Sequence, residues 1–273
     1  MAIITYWNDG KTETGQSMTI ACVATAIALN YDYKVLMINT KYNDNTLQNA
    51  FEPQNTVNSL FTRGKMDLAT GISGMAKAIM SNKTSPEIIT NYTKIIWKNL
   101  ELLTEKNVTK DDYDKYIKYI KEIIKLANRY YDIVLVDLEG KIENPEIKQI
   151  LSMSNINVVT LTQNINVLDR FKTTKKENSI LTENELFASI GRYDAKSKYT
   201  VKNVSKYINE KKVFEVPYNT MFSMEAPEGK AADFIVNFRR AKMPHINAPL
   251  ILAVNKQSDQ IINTIKEQQR KIY

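Results

Sequence analysis

The chain holds one cysteine, one histidine, eight glycines and seven prolines in 273 residues. With Cys22 alone, no disulfide can form within the chain and no thiolate cluster can hold a metal; Cys22 sits among apolar residues and reads as a small buried hydrophobe. The lone His245 excludes a His-rich metal site and argues against Ser–His nucleophilic chemistry. No Pro-rich or Ser/Gly-rich run divides the chain and no repeat is visible, so a single domain over residues 1–273 is expected. No apolar run approaches the ~18–20 residues of a transmembrane helix. The sequence enters a strand pattern at once, and the expectation is a soluble, cytoplasmic protein without membrane insertion.

What is present is a 43% hydrophobic composition, enough for a large core, and 37 Lys and Arg against 30 Asp and Glu, a formal charge of +7. That balance permits electrostatic binding to nonspecific DNA or anionic lipid, although composition alone does not cluster the charge.

The stretch from Ala2 to Asn39 reads as strand, polar loop, long helix and second strand. Within the loop, Gly10, Gly15 and Ser17 keep the phosphate-loop spacing G-x-x-x-x-G-K-[ST], with Gln16 at the lysine position. In such a loop, backbone N–H groups at a helix N-terminus cradle phosphates, and the Ser or Thr hydroxyl holds magnesium. An ordinary strand-to-helix turn is the alternative. Further on, the stretch Tyr131-Asp132-Ile133-Val134-Leu135-Val136-Asp137-Leu138 holds a continuous apolar run ending in an acid, Asp137. It is the pattern of a buried parallel strand that brings its carboxylate to the end where open α/β sheets bind ligands; a helix N-cap or turn aspartate is the alternative.

Lys11 directly follows Gly10, where the deviant phosphate loop of the ParA/MinD superfamily carries its signature lysine, and the chain resembles that superfamily over nearly its whole length. The resemblance implies an α/β fold with a doubly wound, mostly parallel sheet flanked by helices, a P-loop NTPase of ParA/MinD type. It also implies ATP or ADP with Mg2+ as cofactors. The nucleotide would be held by Gly10, Thr12, Glu13, Thr14, Gly15, Gln16, Ser17 and Met18. Arg192, Pro217 and Tyr218 would lie toward the base. Ser17 and Asp137 would serve the metal, and Lys11 and Asp137 the catalysis, with Lys11 crossing to the partner's nucleotide in a homodimer.

Several positions depart from the family pattern. Thr12 and Glu13 replace its glycine pair, and Gln16 its lysine. Asn39 and Lys41 stand where acids commonly hold the metal or its waters, leaving Asp44 as the only nearby carboxylate, which also reads as a cap for a helix at Thr46–Phe51. Gly191 replaces an asparagine. Phosphoryl transfer rests on positioning and charge stabilisation, so neutral Gln16 implies weak nucleotide binding and weak or absent hydrolysis. Restoring lysine there should strengthen ATP binding. Family members of this kind position a cargo through an adaptor protein. Here the candidates are a secretion or pilus-assembly complex and plasmid DNA; a non-enzymatic scaffold without nucleotide is the alternative.

Other patterns are a helix over Gly71–Ser81, a mixed stretch Tyr92–Leu103 with a strand near Leu100, and a long amphipathic helix over Asp111–Tyr130. A short helix from Pro145 precedes a strand over Asn157–Thr162, with Thr162, Gln163 and Asn164 beside the expected site. Strands follow at Leu186–Tyr193 and Val213–Pro217, with a helix at Val201–Ile208 between them. Helices are expected at Glu225–Arg240 and Leu250–Ile272, the last too polar near its end for a membrane-docking tail.

Overall fold

The computed structural model of the protein describes residues 1–10, 13–52, 71–105 and 108–271. Lys11 and Thr12 lie outside the described residues, and so do residues 53–70.

Eight strands form one sheet: β1 (Ala2–Asn8), β2 (Val35–Asn39), β3 (Lys94–Trp97), β4 (Leu100–Leu103), β5 (Ile133–Glu139), β6 (Ile156–Leu161), β7 (Glu185–Tyr193) and β8 (Val213–Pro217), in the order β3-β4-β2-β5-β1-β6-β7-β8. All neighbours run parallel except the β3–β4 pair. The chain winds to one side of β1 through β5 and then to the other from β6 onward. Open α/β sheets bind ligands at such a reversal, outside the carboxyl ends of the strands.

Strand alternation sends Ile4 and Tyr6 into one core and Ile3 and Trp7 into the other. The first core lies beneath α1 (Gln16–Asn30), the helix Ala231–Phe238 and the C-terminal helix Ala248–Arg270. Because α1 is roofed by those two helices as well as floored by the sheet, Gln16, Ser17 and every residue from Thr19 to Ile27 are buried. Burial this broad follows from small residues (Ala21, Cys22, Ala24, Ala26) that allow close approach on several sides.

Beyond shifts of one or two residues at element ends, three elements differ from expectation. The span Asp111–Tyr130 is divided into Lys110–Tyr116, a 3-10 turn Ile117–Tyr119, and Ile120–Ala127. Its first part lies against the segment after β2 through Tyr113 and Tyr42, and its second part packs on the sheet. The span Glu225–Arg240 is interrupted by Gly229, which takes a left-handed conformation (φ 83°), so the helix begins at Ala231. The mixed stretch contains an edge hairpin, β3 against β4, where one strand was expected.

Candidate functional site

The carboxyl ends of β1, β2 and β5 come together, with Asn39 and Tyr6 each in register with Asp137. After β1, the Asn8 side chain accepts the Gly10 N–H at 2.7 Å and turns the loop. The loop returns to α1 through Gly15, whose φ of 74° is a left-handed conformation that glycine adopts without cost. The N-cap residue Gly15 offers no side-chain cap and no acid stands in the first turn of α1, so among the described residues its first amides are open to an anion.

Gly191 on β7 allows the loop to lie directly on the sheet, because a Cβ there would stand 1.8 Å from the Thr14 carbonyl oxygen. The next residue, Arg192, has a left-handed backbone (φ 51°) at an irregularity in the β7–β8 pairing, and its side chain passes over Gly15. It reaches Glu13 at 3.2 Å, but both side chains are mostly exposed, so the ion pair contributes little.

Gln16 is 3% exposed, and its amide points into the sheet. Its Nε2 donates to Asp137 Oδ1 at 2.6 Å and to the Leu138 carbonyl at 2.9 Å, with the Tyr6 carbonyl at 3.2 Å. Its Oε1 accepts from Asn8 Nδ2 at 2.8 Å and from Thr160 Oγ1 at 2.6 Å. Both ends of the amide are used, one as donor and the other as acceptor. No lysine could do the same, since an ammonium accepts nothing. Gln16 is thus an internal strut joining β1, β5 and β6.

Ser17 Oγ donates to Asp137 Oδ2 at 2.6 Å, and Asp137 is fully buried. The third group on this carboxylate is the Lys41 ammonium, 3.0 Å from Asp137 Oδ1 and 3.0 Å from Ser17 Oγ. Asp44 and Glu139 approach the same nitrogen at 3.6 and 3.9 Å. Asp44 also accepts the Thr46 N–H at 2.8 Å, in line with its reading as a cap. Burial would raise the Asp44 carboxyl, but the hydrogen bonds from Thr46 and the charge of Lys41 hold it below its ordinary value.

A cavity of about 750 Å³ opens above these groups. It is bordered by Gly10, Glu13, Thr14 and the start of α1 (Gly15 to Met18) on one side. Lys41, Asp44 and Glu139 close the end near Asp137. Arg192, Pro217, Tyr218, Asn219, Phe222 and Ser223 also line the cavity. The described expected residues therefore surround one space, except Asp137, which lies beneath it. Sequence reasoning missed Asn8 and Thr160. Thr160 carries a faint signal as a polar residue inside the apolar run of β6. Gln163, noted at the end of that strand, instead ties down the next loop through Asp194 and the Tyr199 carbonyl.

Several solved structures share this architecture. A ParA family ATPase from Chlorobium tepidum superposes with a TM-score of 0.70 at 15% identity, covering 93% of this chain and 98% of that one. The septum site-determining protein MinD of Pyrococcus horikoshii, complexed with Mg-ADP, gives 0.68 at 14%, covering 96% and 98%. A putative plasmid partition protein of Borrelia burgdorferi bound to AMPPNP gives 0.58 at 12%, covering 98% and 100%. No family model matches the chain, and no curated protein matches it in sequence. The chain has the ParA/MinD-like P-loop NTPase fold.

That fold implies a nucleotide and a magnesium ion, and the residues fit them unequally. The amides at the start of α1 and the 750 Å³ cavity beside them fit a nucleotide. For the metal, the two natural ligands, Ser17 and Asp137, already share the Lys41 ammonium. Among the described residues, no group of three or more His, Cys, Asp or Glu is arranged to hold a metal ion. Nor is any described helix long and apolar enough to cross a membrane.

Proposed function

We propose that residues 1–273 form one atypical ParA-like domain that binds ATP or ADP, dimerises, and positions a cellular cargo through an adaptor, with weak or no hydrolysis. The observation that carries this reading is the 750 Å³ cavity joining the uncapped start of α1 to the Pro217–Tyr218 loop. Its volume and lining suit a nucleotide, with phosphates at the helix amides and the base toward Arg192, Pro217 and Tyr218. The Mg-ADP of the Pyrococcus MinD and the AMPPNP of the Borrelia protein, both on this fold, support the same assignment.

Weak hydrolysis follows from charge. The Gln16 amide is neutral and bonded within the protein, so it brings no positive charge to the β- and γ-phosphates. Lys11 is the candidate for that contact, from the partner across a homodimer, and Asp137 for the buried acid beneath the phosphates.

The cargo is a secretion or pilus-assembly complex or plasmid DNA. A partition role requires nonspecific DNA binding that weakens steeply with salt; flat or absent binding removes that cargo.

Calorimetry with ATP tests the nucleotide, in parallel buffers with magnesium and with EDTA. Saturable heat at micromolar to millimolar ATP, reduced in Tyr218→Ala and Arg192→Ala, is the expected result. No heat in either buffer refutes nucleotide binding and leaves a scaffold that keeps only the fold.

A further inference from the structure

We infer that the Lys41 ammonium is the resident cation of this site, standing where a divalent ion would bridge Ser17, Asp137 and a phosphate, so that the pocket takes a nucleotide without magnesium. The second half of this inference rests on the nucleotide reading above; the first half does not.

The geometry carries it in three steps. Ser17 Oγ spends its hydrogen on Asp137 Oδ2, which leaves its lone pairs as the only group a cation can use; the Lys41 nitrogen lies 3.0 Å from that oxygen. The same nitrogen lies 3.0 Å from Asp137 Oδ1, so the ammonium spans the hydroxyl and the carboxylate as a metal would. A magnesium ion needs oxygens at about 2.0–2.1 Å in near-octahedral array. It would have to stand against the ammonium to reach these two, and their repulsion forbids both at once.

The position is held by the backbone rather than by a mobile stem. The Lys41 N–H donates to Asn39 Oδ1 at 3.1 Å, and Asn39 Nδ2 donates to the Asp44 carbonyl at 2.7 Å. Thr40 donates twice to the Asp137 carbonyl, from its N–H at 3.1 Å and its hydroxyl at 2.8 Å. The Tyr113 hydroxyl donates to the Thr40 carbonyl from outside. Only 7% of the Lys41 side chain is exposed, and the residue borders the cavity. Asp44 and Glu139, at 3.6 and 3.9 Å, complete an anionic shell that a cation must neutralise. Neutral Gln16 after Gly15 and cationic Lys41 just after β2 together put the positive charge at the metal's place.

The test uses Mn2+ as a spectroscopic stand-in for magnesium, with the full chain. Wild type should take up no Mn2+ at millimolar concentration by electron paramagnetic resonance. Lys41→Ala and Lys41→Met, the second keeping the apolar stem, should each bind one ion per chain. In calorimetry, wild-type ATP affinity should be the same in EDTA and in magnesium within about twofold, whereas both variants should require magnesium by about tenfold or more. Stoichiometric Mn2+ binding by wild type overturns the inference without any variant. So does a folded Lys41→Met that binds no Mn2+, or wild-type ATP binding that collapses in EDTA. If ATP binds in neither buffer, the nucleotide reading fails, and the Mn2+ measurements still decide the identity of the cation.

Discussion

Gln16→Lys restores the phosphate-loop pattern on paper, and the structure gives it a cost. The substitution removes the acceptor for Asn8 Nδ2 and for Thr160 Oγ1. Thr160 can turn to the Trp7 carbonyl at 3.2 Å, so the main orphan is the buried Asn8 amine. Stranding one buried donor costs about 1–3 kcal/mol. The new ammonium would meet Asp137 and the Leu138 and Tyr6 carbonyls, but Lys41 already shares Asp137 Oδ1. Two cations about 4 Å apart repel by about 4 kcal/mol at an effective dielectric of 20, roughly cancelling the gain from a second contact with Asp137. With desolvation of the added charge, the net destabilisation is about 2–4 kcal/mol, a fall in melting temperature of roughly 3–7 °C for a chain of 273 residues. Scanning calorimetry of the two proteins without nucleotide reads it directly. A melting temperature equal to or above that of wild type would refute the role of Gln16 as a strut and restore the simpler expectation that lysine there only strengthens ATP binding.

Gly191→Ala places a Cβ 1.8 Å from the Thr14 carbonyl, so either β7 or the loop must move; the expected loss is about 1–3 kcal/mol, accompanied by weaker ATP binding. Denaturation and calorimetry that both match wild type would show that the loop does not bear on the strand. The Asp44 carboxyl is held below its unfolded value of 3.8, so its contribution to stability is present above that pH and is lost as pH falls through the lower folded value. The stability difference between wild type and Asp44→Asn, followed by urea denaturation, should therefore be constant near neutral pH and shrink below about pH 4; a difference that persists unchanged to pH 3 contradicts the pairing.

Much of the architecture was legible because parallel strands buried on both faces are written as unbroken apolar runs. β5 and its Asp137 could be read from eight consecutive letters, and α1 from its small apolar residues. β3 could not be read in this way: it is a four-residue edge strand, half of it exposed, where burial leaves no pattern. The orientation of Gln16 was hidden for another reason. Its partners Asp137 and Thr160 lie 121 and 144 residues away, and no local spacing reports which way a side chain turns at a helix start. Lys41 was visible as a departure from an acidic pattern, but its meaning depended on the register of β2 against β5, which only the fold supplies.

The close approach at Gly191 bears on how this sequence can change. Gly191 touches Thr14, Thr14 Oγ1 bonds Thr160, Thr160 bonds Gln16, Gln16 bonds Asp137, and Asp137 pairs with Lys41. Residues joined through shared partners do not contribute additively. An asparagine at 191 lifts the loop, a lysine at 16 orphans Asn8, and an acid at 41 faces a bare Asp137, so each single step toward the phosphate-loop pattern goes uphill. Reaching that pattern from this sequence therefore requires the steps together.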